Sequence, residues 1–229
     1  MKMMGHRGAR DRAPENTMRS FEFALQSGVP AVEFDIHETR DGIWVVHHDD
    51  TLNRTTTSEG KVSSRTWDEL SEVRTKEGDP LPRLEQVLQL FSQRLSSSTV
   101  ELQIELKSQG DYGRLGELLC LHGNIEKITV ISFNHRWLLD FKTHNPQIRT
   151  TCLLFGLPNN PVEIAKAAKA DGLSLSVNWI DSQLVKECHA AGLTVTAWNA
   201  NDTEVFGKMK EIGVDYLGTD VPFTALHWN

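Results

Sequence analysis

The chain has 229 residues, 39% hydrophobic and 24% charged, which is long enough for one large cored domain and too apolar for disorder. Its 24 Lys and Arg against 31 Asp and Glu leave a net charge of −7. That balance excludes a broad nucleic-acid footprint and docking on an anionic membrane. It does not exclude a small anionic substrate, because a cleft can be locally positive on an acidic protein. Three scattered cysteines, Cys120, Cys152 and Cys188, form neither a disulfide framework nor a zinc site and are expected to pack as small apolar residues. The first residues lack the apolar core of a signal peptide, and no run approaches the ~18 apolar residues of a membrane span. A cytoplasmic location without membrane insertion is the expectation.

In chain order, strands are expected at 3–6, 31–37, 43–48, 99–107, 128–133, 149–155, 173–177, 193–198 and 214–219. Helices are expected near 17–27, 83–95, 112–121, 135–143, 161–170, 181–191 and 202–212. Gly28, Gly123, Gly172, Gly192 and Gly213 read as helix C-terminal residues, and Asp181 and Asp202 as N-caps. Strand–helix alternation implies a parallel sheet with helices outside. Between 31–37 and 43–48 stands only Thr39-Arg40-Asp41-Gly42, too short for a parallel crossover. Strand 43–48 must therefore turn back as a hairpin, and eight parallel strands remain, the number of a TIM (β/α)8 barrel. Residues 49–82, rich in Thr, Ser, Glu, Gly and Pro, form a small insertion above the barrel, and 1–229 reads as a single domain. A doubly wound open sheet is the structural alternative, but the first strand–helix turn reads His6-Arg7-Gly8-Ala9-Arg10 rather than a Gly-rich phosphate loop.

Barrel chemistry sits at strand C-termini. In 31–37, side-chain alternation puts Glu33, Asp35 and His37 on one face and Val32, Phe34 and Ile36 on the other. If the apolar set packs on helices, the acids point inward. A divalent cation would compensate them, and so would inward Arg or Lys. Glu105 and Lys107 share the inward face of the next barrel strand with Gln103. A two-residue turn at Asp41-Gly42 sets His48 opposite Asp35, whereas a three-residue loop shifts the parity to His47. His48 is the expected choice. His6 and Arg7 end the first strand. The set of two histidines, three carboxylates, Arg7 and Lys107 suits hydrolysis or transfer at an anionic ester, with one histidine as base and the other as acid. Phe133 and Trp179 read as core or rim packing, and Asp220 as an N-cap or a buried partner of site residues.

The runs Gly5-His6-Arg7-Gly8, Pro14-Glu15-Asn16-Thr17, Glu33-Phe34-Asp35, His47-His48-Asp49 and Leu52-Asn53-Arg54-Thr55-Thr56 resemble the glycerophosphodiester phosphodiesterase family. Ile104-Glu105-Leu106-Lys107, Val195-Thr196-Ala197-Trp198-Asn199 and Gly218-Thr219-Asp220-Val221-Pro222 continue the resemblance along the whole chain. It implies a TIM barrel that hydrolyses glycerophosphodiesters to an alcohol and sn-glycerol 3-phosphate, within glycerol and lipid metabolism. By position it implies His6 and His48 as acid–base pair and Glu33, Asp35 and Glu105 as ligands of Mg²⁺ or Ca²⁺. Arg7 and Lys107 would contact phosphate, Trp198 would be an aromatic beside the site, and Glu15 is a motif glutamate near it. The Trp198-Asn199-Ala200-Asn201 run departs from the Thr and Val that follow this Trp in many relatives. With few aromatics in 49–82, small soluble head groups are expected.

A different metal-dependent barrel acting on a phosphorylated or sugar substrate, such as an isomerase or aldolase, would also use inward carboxylates. It would not need two histidines beside an Arg–Lys pair. A silent binding module would be expected to lack a site residue, and none is missing here. Three carboxylates with Arg7 and Lys107 leave the site one charge negative. A divalent ion makes it positive, so phosphodiester binding is expected to depend on the metal.

Overall fold

The computed structural model describes residues 1–94 and 100–228. In chain order the elements are β1 (Lys2–His6), α1 (Met18–Ser27), β2 (Ala31–Glu38), β3 (Trp44–Val46), α2 (Trp67–Ser71) and α3 (Leu84–Arg94). Then come β4 (Glu101–Leu106), α4 (Tyr112–His122), β5 (Ile128–Ser132), α5 (His135–His144), β6 (Arg149–Leu154) and α6 (Pro161–Ala167). The chain closes with β7 (Gly172–Ser176), α7 (Ser182–Ala190), β8 (Thr194–Trp198), α8 (Thr203–Ile212), β9 (Tyr216–Thr219) and α9 (Pro222–Ala225). The expected elements are present to within a few residues. The expected bounds at 95 and 99 lie outside the described residues. The short helices α2 and α9 were not anticipated.

Eight strands pair in parallel in the order β1-β9-β8-β7-β6-β5-β4-β2, and a β1–β2 pairing closes the ring into a TIM barrel. In β2 the alternation works as its sequence dictates. Val32, Phe34 and Ile36 join the outer core between sheet and helices, with the Phe34 ring 5.4 Å from that of Phe21 on α1. Full burial of each such side chain contributes about 1.5–3 kcal/mol. Glu33 and Asp35, on the opposite face, are buried in the barrel interior. Below them Glu101 is held by Lys2 (2.8 Å) and by the Tyr216 hydroxyl (2.5 Å), which closes the bottom of the barrel with polar groups that satisfy one another.

The return strand is present, but its register is not the two-residue one. The β2–β3 pairs are Glu38–Trp44, His37–Val45 and Ile36–Val46, and Thr39 N–H donates to the Ile43 carbonyl. The loop therefore has three residues and carries Gly42 at φ 78°, a left-handed position that glycine takes without strain. In this register His47, not His48, faces Asp35, and the His47 N–H donates to the Asp35 carbonyl. Parity had been expected to select His48 through pairing, and that argument fails. His48 still reaches the site, because the ladder ends at Val46 and the chain turns out of the sheet. Two buried histidines hold that turn: His37 Nε2–H donates to the His48 carbonyl (3.2 Å) and His47 Nε2–H to the Thr51 carbonyl (3.0 Å).

Residues 49–82 pack Leu52, Val62, Leu70, Val73 and Leu81 with Val45 of β3 into a small second core. Asp181 and Asp202 cap α7 and α8, accepting from Leu184 N–H and Val205 N–H. Gly28 and Gly213 end α1 and α8 in the left-handed region. Gly172 departs from its expected role and opens β7, where a Cβ would stand 2.3 Å from Thr194 Oγ1. Cys152 and Cys188 are buried in the core and Cys120 is exposed. Among the described residues no helix is long and apolar enough to cross a membrane.

Candidate active site

The C-terminal ends of β1, β2 and β4 and the turn after β3 deliver charged side chains to one cavity of about 390 Å³ at the barrel mouth. His6, Arg7, Glu33, His48, Glu105 and Lys107 line it. Across the barrel, Ile131, Phe133, Leu153, Phe155 and Trp198 form an apolar wall. Phe133 thus departs from its expected packing role: it stacks on Phe155 at 4.0 Å, with Trp198 edge-on to both. These aromatics come from the ends of β5, β6 and β8 rather than from the insertion. Trp179 is half exposed.

Glu33, Asp35 and Glu105 each offer a carboxylate oxygen within 4.8 Å of the others, and all three are buried. Parallel pairing of β2 with β4 sets Asp35 beside Glu105. Lys107 Nζ lies 2.7 Å from Glu105 and 3.3 Å from Asp35, and Arg7 Nε lies 3.3 Å from Asp35. Burial and the charges of Asp35 and Glu105 push Glu33 well above the usual carboxylate range. Burial and Asp35 push Glu105 up to about 7 against the pull of Lys107. Burial acts on Asp35 too, but Lys107 and Arg7 overcome it and hold Asp35 below its ordinary value. Two cations are therefore too few for three buried acids, and Asp35 Oδ1 has only the 3.3 Å ion-pair contact with Lys107 and no hydrogen bond among the described residues. A close set of hard oxygen donors short of positive charge fits a divalent cation such as Mg²⁺ or Ca²⁺.

Asn16 was not singled out from sequence, yet it sits inside this cluster. Its φ of 59° turns the side chain so that Nδ2 donates to Asp35 Oδ2 at 2.8 Å. Arg7, also left-handed at φ 56°, donates its backbone N–H to Glu33 and its guanidinium to Glu15. Gly8 follows at φ 88°, where a Cβ would meet Ser20 Oγ at 2.4 Å, so the turn after β1 admits only glycine there.

Each cavity histidine is backed by a carboxylate. His6 Nδ1–H donates to Asp220 (2.7 Å), and its Nε2 lies 3.9 Å from Glu33. His48 Nδ1–H donates to Asp49 (2.5 Å). With Nδ1 committed to an acid, Nε2 is the nitrogen left to exchange protons. Burial lowers both pKa values, opposed at His6 chiefly by Asp220 and at His48 chiefly by Asp35.

The backing acids are joined through arginines. Arg54 binds both Asp49 (2.6 Å) and Glu15 (2.6 Å). Arg10 binds both Glu15 (3.1 Å) and Asp220 (2.8 Å). A continuous run of ion pairs thus connects His6 to His48 around the rim. Glu15 is its hub: burial pushes it up, but hydrogen bonds from Arg54 and the charge of Arg7 hold it at about 2. Asp49, Arg54 and Arg10 were not anticipated as site residues, although Asp49 and Arg54 lie within the quoted motifs. Trp198 lines the cavity, and Asn199 Nδ2 lies 3.0 Å from His6 Nδ1.

Titrating side chains gathered at the C-terminal mouth of a closed barrel mark a TIM-barrel enzyme. The model of the glycerophosphoryl diester phosphodiesterase family matches residues 6–224. A glycerophosphodiester phosphodiesterase of Bacillus altitudinis is 32% identical over 245 residues, covering 98% of this chain and 96% of its own. The structure of an Oleispira antarctica phosphodiesterase in complex with the product sn-glycerol-3-phosphate matches with a TM-score of 0.90 and 28% identity, covering 99% of this chain and 95% of that one. A glycerophosphodiester phosphodiesterase structure from Agrobacterium tumefaciens matches with a TM-score of 0.85 and 26% identity, covering 98% and 99%. The chain belongs to the glycerophosphoryl diester phosphodiesterase family and is a phosphoric diester hydrolase.

Proposed function

We propose that residues 1–229 act as one catalytic domain that hydrolyses small glycerophosphodiesters to an alcohol and sn-glycerol 3-phosphate. The observation that carries this reading is the joint placement of His6, His48, Arg7 and Lys107 around one buried carboxylate cluster. Glu33, Asp35 and Glu105 would hold Mg²⁺ or Ca²⁺. Such an ion, when bound, supplies Lewis-acid stabilisation of charge on the phosphoryl oxygens. Arg7 and Lys107 orient the anionic diester and neutralise its remaining charge. One histidine, at Nε2, takes the proton of the attacking oxygen as the new P–O bond forms. The other gives its Nε2 proton to the alkoxide released when the P–O bond to the alcohol breaks. Asp220 and Asp49 stabilise whichever ring is cationic at each stage. The attacking oxygen is that of water or of the neighbouring glycerol hydroxyl, and in the second case a cyclic diester forms first and is then opened by water.

Named relatives and the product complex of the Oleispira enzyme support this substrate class. A cytoplasmic role in glycerol and lipid metabolism accords with it. The test is to incubate the protein with glycerophosphocholine or glycerophosphoethanolamine and follow glycerol 3-phosphate. Turnover is expected, with loss in EDTA and in His48→Ala. Activity that survives both would overturn the mechanism.

A further inference from the structure

The cavity has a floor that the chemistry above leaves unused. Gln103 on β4 and Ser174 on β7 both line it, and they are 3% and 1% exposed. Gln103 Nε2 donates across the barrel to Thr196 Oγ1 at 3.3 Å, which fixes the amide plane. Gln103 Oε1 and Ser174 Oγ are then left buried with no hydrogen-bond partner among the described residues. Met4, Ile131 and Leu153, which also line the cavity, offer no polar side-chain partner. Buried polar atoms in such surroundings are costly unless a bound molecule pairs them.

We propose that Gln103 and Ser174 form a diol-reading subsite that takes the hydroxyls of the glycerol half of the substrate. This rests on the phosphodiesterase reading and adds to it the residues that choose between substrates. In β4, Gln103 lies one inward position below Glu105 and two below Lys107. A phosphoryl group held by Lys107 and Arg7 therefore has the polar floor beneath it. At the other end the rim is open and apolar, with Phe155 74% exposed. An enclosed floor with one acceptor and one hydroxyl suits a small invariant polyol. An open aromatic rim suits a variable alcohol and discriminates weakly among head groups.

The test compares glycerophosphocholine with its analogue lacking the terminal hydroxyl, 2-hydroxypropyl phosphocholine, which keeps the hydroxyl next to the phosphoester, in wild type, Gln103→Leu and Ser174→Ala. Sites that hydrogen-bond a hydroxyl reject the analogue lacking it, so wild type is expected to prefer glycerophosphocholine by on the order of 100-fold in kcat/KM. Each variant should lose on the order of tenfold of that preference while keeping its rate on the analogue. Thermal melting checks folding, and Gln103→Met serves if Gln103→Leu does not fold. An unchanged preference in folded variants, or equal loss on both substrates, overturns the subsite. An absence of wild-type preference also overturns it. Failure of the underlying function reads differently: wild type would cleave neither diester.

Discussion

Asp220→Asn separates a catalytic histidine pair from two histidines that merely share a cavity. The Asp220 side chain bonds His6, Arg10 and Asn201, and touches neither Arg7 nor Lys107. Its removal should therefore spare substrate binding and strike proton transfer. Burial depresses the His6 pKa and Asp220 is the largest influence opposing that, so the variant's imidazolium loses its main support. A hydrogen bond between charged partners contributes about 1.5–3 kcal/mol against about 1 kcal/mol for a neutral one. If that difference, about 0.5–2 kcal/mol, is felt only when His6 is cationic, kcat falls roughly 2–30-fold while KM stays near wild type. The limb of the pH–rate profile that reports His6 should also move to lower pH. The assay is steady-state release of glycerol 3-phosphate from glycerophosphocholine across pH, with melting curves as a folding control. A folded Asp220→Asn enzyme with wild-type kcat would refute the role of Asp220, and loss confined to KM would place Asp220 in binding instead.

Two further outcomes follow from the charged interior. Without a divalent ion the acids outnumber Arg7 and Lys107, so calorimetry should find glycerol 3-phosphate binding with Mg²⁺ or Ca²⁺ and little in EDTA, and equal affinity in both would contradict the charge balance. The ion alone should raise the melting temperature, by a stabilisation of about 2.7 kcal/mol at 100 times its Kd, and Glu33→Gln should weaken that response. His37 is buried and neutral, its pKa pushed down to about 4 by burial, whereas the unfolded residue titrates near 6.5. Because the unfolded state then binds more protons, stability is present above that unfolded value and is lost as pH falls toward 4; at pH 5 the loss from His37 is about 2 kcal/mol. Denaturant melts of wild type and His37→Gln at pH 7 and pH 5 check this, and an identical pH dependence in the two proteins would contradict it.

Much of this molecule was legible along the chain because its determinants are local. Strand alternation is a property of the extended backbone, so Val32, Phe34 and Ile36 had to part from Glu33 and Asp35 wherever β2 was placed. The absence of room for a helix after β2 forced the hairpin. Cap chemistry put Asp181 and Asp202 at their helix starts. The run of motifs sufficed for family membership.

Net charge is a poor guide to the site. The chain is at −7 overall, yet the feature that matters is three acids and two cations sharing one buried volume. Only tertiary structure decided how the histidines are served. The three-residue loop took pairing away from His48, and the end of the ladder at Val46 returned it to the cavity. Asp220 stands 214 residues from His6, and nothing short of closing the barrel between β9 and β1 brings them together. Arg10 and Arg54 likewise find Glu15 through loops that meet above the barrel. The unpaired atoms of Gln103 and Ser174 belong to the same category, since whether a buried polar atom has a partner depends on what the opposite wall presents.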